Sequence, residues 1–199
     1  MIIICLYVLV FAIMSVTNDK VIIFPQQDGS KKIIDILKTA KKSIKFIIYR
    51  LNLPSITEEV IKLKKEKNIE IQFIMNHFYI KESDFKLDAL NEENTKKLRF
   101  NKKTYNKLVN NGIKVKIKQN TEFFAYHPKI IIIDNEKALI STVIFNHKSF
   151  TRSKNLCIIT EKKDIIKLLN RVFEHDYNDK PLNSIYNENL CVTPINYEK

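Results

Sequence analysis

His127, Lys129 and Asp134 are the residues of this chain whose types and spacing could do chemistry together. They lie in the stretch Tyr126-His127-Pro128-Lys129-Ile130-Ile131-Ile132-Ile133-Asp134. An imidazole can act as nucleophile or proton carrier near neutral pH, and an ammonium beside it supplies fixed positive charge, so the pair suits a phosphate ester. The spacing His-x-Lys-x4-Asp has a chance expectation of about 0.03 in a chain of this composition, so its weight comes from its setting.

That setting is a strand. Four consecutive Ile residues favour an extended backbone, because side chains branched at Cβ pack well on a pleated surface. Alternation along residues 127–134 sends His127 and Lys129 one way and Pro128 and Asp134 the other. The rest of the chain alternates helical and extended patterns. Val21-Ile22-Ile23-Phe24 reads as a strand closed by Pro25. Ser30 is the expected N-cap of a helix with Ile33, Ile34, Leu37 and Ala40 on one face. A strand over 43–51 comes next. Ser55-Ile56-Thr57-Glu58 reads as a capping box opening a helix to about Lys67. Residues 69–75 alternate as a half-buried strand. A helix through Leu108 stops at Gly112, which can take the left-handed C-cap, and 113–117 alternate again. Strands are expected near 138–145 and 155–159, and Thr160 as N-cap of a last helix that turns Ile165, Leu168, Leu169 and Val172 inward. Residues 76–103 are polar and weakly periodic, and 178–199 form an aperiodic tail. The pattern predicts an α/β domain over 18–177, a mixed central β-sheet flanked by helices with 127–134 as a central strand.

The 199 residues carry a formal net charge of +12 and a sequence pI near 9.5. Such a surface collects polyanions, nucleic acid or anionic lipid head groups. Only two Gly are present, so tight turns must rely on Asn and Asp. Residues 2–16 carry no charge. That run is short for a bilayer span and suits a signal peptide, within segment 1–17, or a short membrane anchor, which implies secretion, a periplasmic location or tethering. Cys5, Cys157 and Cys191 lack ligand spacing, so no metal site and no cofactor is expected. Cys157 and Cys191 could pair in an oxidising compartment, although Cys157 lies in the apolar run Leu156-Cys157-Ile158-Ile159 and reads more simply as a core residue.

The spacing His127-x-Lys129-x4-Asp134 resembles the HKD signature of the phospholipase D superfamily, small single-motif type. Ile33 to Leu51 resembles that family's opening helix and first core strand. Ala138-Leu139-Ile140-Ser141-Thr142 and Ser149-Phe150-Thr151-Arg152 resemble the segments C-terminal to the motif in small bacterial members. The resemblance implies a phospholipase D-like fold and a phosphodiesterase without metal or cofactor. In that chemistry one histidine attacks phosphorus to give a phosphohistidine and a second protonates the leaving oxygen. His127 and Lys129 would carry the reaction, Asp134 would be structural, and Thr142, Asn146 and Asn155 would line the substrate site. None of His77, His147 and His175 has Lys two positions later. A homodimer must then supply the second histidine.

The sequence also departs from the family pattern. Where the family continues Gly-Ser-x-Asn, this chain has Ser141, Thr142, Val143 and Ile144, and Ile144 cannot donate a hydrogen bond unless Asn146 takes its place. The acidic residue that orients the nucleophilic histidine falls at Asn155, which can accept a hydrogen bond but cannot stabilise imidazolium by charge. Three readings stand side by side: an endonuclease-like enzyme, favoured by size and charge; a phospholipase D or cardiolipin hydrolase; and a degenerate, non-catalytic phosphate-binding module.

Overall fold

The computed structural model describes residues 19–26, 28–76, 102–118 and 126–180, together with two short strands in the tail. The expected leader, most of the polar segment 76–103 and most of the tail lie outside the described residues. The tail holds one small antiparallel pair, β8 (Tyr186–Asn187) with β9 (Leu190–Cys191).

Seven strands form one mixed sheet. In chain order they are β1 (Lys20–Phe24), β2 (Ser43–Ile48), β3 (Glu70–Asn76), β4 (Lys114–Lys118), β5 (Lys129–Ile133), β6 (Lys137–Ser141) and β7 (Asn155–Thr160), and in space they run β1-β7-β6-β5-β2-β3-β4. β2, β3 and β4 are parallel, and every other pair in this sheet is antiparallel. β5 is the fourth of seven, the central strand, flanked by β2 and β6. Its residues Ile131, Ile132 and Ile133 are buried, as a strand covered on both faces requires.

The two faces bury different helices. Ile44, Phe46, Ile48, Phe73, Ile131 and Ile133 pack in one cluster with α1 (Gly29–Leu37), α2 (Pro54–Lys67) and the helix α3 over 102–109. Phe46 and Phe73, register partners, stack with centroids 4.1 Å apart. On the other face Ile47, Ile74, Ile132 and Ala138 meet Ile165, Ile166, Leu168, Leu169, Val172 and Phe173 of α5 (Lys163–Tyr177). A short α4 (His147–Thr151) joins β6 to β7.

The starts of three helices differ from the sequence expectations, none of the expected hydroxyl residues occupying the N-cap. Ser30 lies inside α1, whose N-cap is Asp28, and neither that residue nor Leu53 of α2 makes a side-chain cap bond. Ser55 falls in the first turn of α2 because Pro54 starts it, its fixed φ being preformed for the first helical position. Thr160 is the last residue of β7 and its hydroxyl accepts the N–H of Lys162, the N-cap of α5. Asn146 does cap a helix, α4, its Oδ1 accepting the N–H of Ser149 at 2.9 Å. Cys157 is a buried free thiol, its pKa pushed up to about 12 by burial.

Candidate active site

The strand β5 begins at Lys129, two residues later than the sequence pattern suggests, because Pro128 has no N–H to give the ladder. His127 therefore stands ahead of the strand, exposed, on an extended lead-in whose Pro128 carbonyl accepts the N–H of Tyr49 at 2.9 Å. Lys129 is only 4% exposed, on the face of β5 that also carries Ile131 and Ile133.

The two side chains nevertheless meet. Lys129 Nζ lies 2.7 Å from His127 Nδ1 and 3.1 Å from Nε2, and it donates to the His127 carbonyl oxygen at 2.6 Å. Burial alone lowers the Lys129 pKa to about 8. His127 is also held below the ordinary imidazole value, by burial first, then by the charges of Lys129 and Arg50. A weakly basic imidazole carries a free lone pair at neutral pH, which is the form that attacks phosphorus.

Two tyrosines bear on the histidine, one against its ring and one preceding it in the chain, and pattern reading does not single out either for the site. The Tyr49 ring lies 4.5 Å from the His127 ring, with Lys129 Nζ 5.4 Å and the Arg50 guanidinium carbon 4.6 Å from its centroid. Cations over an aromatic face are attracted by its quadrupole, so Tyr49 holds Arg50 and Lys129 at the same site. The phenol of Tyr126, the residue before His127, donates to Asp176 Oδ2 at 2.6 Å, and burial, then that carboxylate, hold its pKa well above the usual phenol value.

Asp134 occupies the far end of β5. It begins the reversal into β6 with φ 54°, followed by Asn135 at φ 57°, and Glu136 N–H closes the turn on the Ile133 carbonyl at 2.9 Å. Asn and Asp tolerate the left-handed region, which is how a glycine-poor chain makes this reversal. The Asp134 carboxylate accepts the N–H groups of Lys41, Lys42 and Ser43 at 2.8, 2.7 and 2.8 Å. Those bonds hold its pKa below the ordinary value against the opposing effect of burial. It ties β5 to the start of β2.

Thr142, Asn146 and Asn155 come together in a separate polar network around α4. Thr142 Oγ1 donates to Asn155 Oδ1 at 3.1 Å and accepts the N–H of Leu156 at 3.0 Å. Asn155 Nδ2 donates to the carbonyls of Ser149 and Ser153, both at 3.2 Å, and Asn146 caps α4. These bonds run among the network itself and not to His127 or Lys129. The chain after β2 touches both groups: Tyr49 bonds Pro128, and Asn52 N–H donates to the Phe145 carbonyl at 2.9 Å. Among the described residues no group of three or more His, Cys, Asp or Glu side chains could hold a metal ion, and no helix is long and apolar enough to cross a membrane.

The fold has counterparts. The family described as "Cardiolipin synthase, PLD-like domain" matches residues 33–177. The fold is similar to that of Nuc, a phospholipase D family member from Salmonella typhimurium, with TM-score 0.63 and 16% identity over 81% of this chain and 95% of that one. It is similar to NucT from Helicobacter pylori, with TM-score 0.57 and 14% identity over 81% of this chain and 96% of that one. It is also similar to phosphatidylserine synthase from Haemophilus influenzae, with TM-score 0.55 and 20% identity over 80% of this chain and 38% of that one. No curated protein matches the chain by sequence.

Proposed function

Because the chain belongs to the family of phospholipase D-like domains, we propose that it is a phosphodiesterase whose nucleophile is His127 and whose natural substrate is nucleic acid. The observation that carries this reading is the contact between Lys129 Nζ and the His127 ring at 2.7 Å, which sets an ammonium directly beside an imidazole in one small volume. A phosphodiester entering that volume takes the ammonium as its counter-charge, and the histidine nitrogen faces phosphorus.

The sequence holds one copy of the motif and so one motif histidine, and the proposed enzyme is a homodimer with the two sites facing across a two-fold axis, the second histidine serving as acid. The His127 nitrogen bonds phosphorus as the ester P–O bond breaks, and the leaving oxygen takes a proton from His127 of the partner subunit. Water then attacks the phosphohistidine, gives its proton to the partner's His127, and the N–P bond breaks. Lys129 supports the developing charge without a metal.

The net charge of +12 favours a polyanionic chain as substrate. The second reading, an anionic phospholipid, is favoured by the cardiolipin synthase description of the matched family. The apolar segment 2–16, which we propose as an export signal or tether, fits both readings. The experiment is hydrolysis of single-stranded DNA and of cardiolipin vesicles in parallel, with and without chelator, by wild type and His127→Ala. DNA cleavage that survives chelator and vanishes in the variant is expected. Cleavage of cardiolipin alone would move the reading to lipid, and turnover unchanged by His127→Ala would remove it.

A further inference from the structure

We infer that Asn76, Tyr126 and Asp176 form a clamp that positions His127 by fixing the backbone immediately before it. The inference rests on the phosphodiesterase reading for its purpose, although the clamp itself is a matter of geometry.

The histidine needs an anchor of this kind. It precedes the first paired residue of β5, its side chain is exposed, and Pro128 cannot donate a ladder bond. Downstream, the lead-in is held by the Tyr49 N–H on the Pro128 carbonyl. Upstream, the anchoring bonds converge on Tyr126. Its N–H donates to Asn76 Oδ1 at 2.9 Å, and its phenol donates to Asp176 Oδ2 at 2.6 Å. One residue is thus pinned at its main chain and at its tip, by the last residue of β3 and the last turn of α5.

The two anchors are themselves joined. Lys118 is the register partner of Asn76 across β3 and β4. Its ammonium lies 3.5 Å from Asp176 Oδ1 and donates to the Asp176 carbonyl at 3.3 Å. Lys118 also meets Asp179, which Lys116 pairs with from the next outward position of β4. Among the described residues the charged groups facing the clamp are Lys118, Asp176, Asp179 and Lys116, while Lys129 and Arg50 face the imidazole it positions. A phenol donating to a carboxylate makes a short, charge-assisted bond, strong enough to hold the residue next to a nucleophile whose reach tolerates little error.

A purely structural role for Tyr126 would reside in its ring, which packs against the α5 cluster. Tyr126→Phe keeps that ring and removes only the bond. The test uses the full chain and two readouts. The first is the His127 ring pKa by NMR, its signal assigned by its absence in His127→Ala. Freed from the clamp, the ring leaves Lys129, and its pKa rises toward the ordinary value in Tyr126→Phe and in Asp176→Ala. Asp176→Asn keeps an acceptor oxygen and retains the low value. The second is turnover on a single-stranded oligonucleotide, where kcat falls about tenfold or more in the same two variants while KM stays within about twofold.

An unchanged ring pKa in both folded variants, checked by thermal melting, would overturn the clamp. A ring pKa that moves in a protein with no turnover on any phosphodiester would uphold the clamp and remove the enzyme reading. Turnover that depends on His127 but is indifferent to Tyr126→Phe and Asp176→Ala would do the reverse.

Discussion

Lys129 Nζ sits 2.7 Å from His127 Nδ1 at the mouth of the central strand, with Lys129 itself 4% exposed. Burial makes Lys129 less willing to carry a proton, burial and the Lys129 charge do the same to His127, and the fold keeps both there despite the cost. Such cost is expected where charge is held ready for a substrate.

Lys129→Met should abolish turnover and stabilise the protein at pH 7 by on the order of 1–3 kcal/mol, since a lysine held near pKa 8 is disfavoured in its charged form. The folded chain binds that proton less tightly than the unfolded one. The penalty is thus fully present below pH 8 and disappears as pH rises from about 8 toward the ordinary lysine value. Urea unfolding of wild type and variant at several pH values isolates the effect as their difference. A variant less stable than wild type at pH 7 would contradict it.

A symmetric site needs one imidazole neutral and one protonated, so the productive fraction peaks where His127 is half titrated. Burial, Lys129 and Arg50 all lower that pKa. The free-enzyme profile, kcat/KM against pH, should therefore peak below pH 6.5 and fall further as Lys129 loses its charge near pH 8. A maximum on the alkaline side of neutrality would count against the paired-histidine site.

Asp134→Ala should cost about 2–4 kcal/mol, because it orphans three backbone N–H donors and leaves alanine in the left-handed region at φ 54°. The depressed carboxyl pKa means that wild-type stability from this group is present above the ordinary aspartate value and lost as pH falls through the lowered one. Denaturation of both proteins at pH 7 and pH 3 reads the difference, which should shrink at the lower pH. A loss below about 0.5 kcal/mol at pH 7 would show that Lys41, Lys42 and Ser43 find other acceptors.

Restoring family residues should have opposite consequences at two positions. Asn155→Glu removes the amide that donates to the Ser149 and Ser153 carbonyls and puts a carboxylate against both, so it should destabilise by about 1–3 kcal/mol. Ile144→Asn at a half-buried position should fold and, if Ile144 limits phosphate binding, lower KM. Thermal melting and oligonucleotide kinetics on each single variant decide. A stable, more active Asn155→Glu would mean that the network around α4 rearranges easily.

Local signals are readable where local forces decide. The Ile run identifies β5 as a central strand because β-branching and burial agree there, and Cys157 reads correctly as a core residue. The hydroxyl residues Ser30, Ser55 and Thr160 mislead because a cap is one of several uses for a side-chain oxygen, and Pro54 or strand pairing takes precedence. His127 falls outside the strand for want of a single N–H on Pro128. Tyr49, Arg50, Asn76 and Asp176 reach the site only through pairing of segments far apart in the chain, which periodicity cannot show. Analogy puts Asn155 beside the histidine, while its hydrogen bonds run to Thr142, Ser149 and Ser153.

The strand order bears on the making of the protein as well as on its chemistry. β2 pairs with β3 on one side and with β5 on the other, and β5 lies about eighty residues further along the chain than the end of β2. At synthesis rates of about 5–20 residues per second, the bare edge of Ile44, Phe46 and Ile48 waits several seconds on the ribosome for its second neighbour. An unpaired, strongly apolar edge is a template for other chains. Yield of soluble protein should therefore depend on how quickly residues 49–128 are translated, and slowing codons placed in that interval should send more of the chain to aggregates than the same codons placed after Ile133.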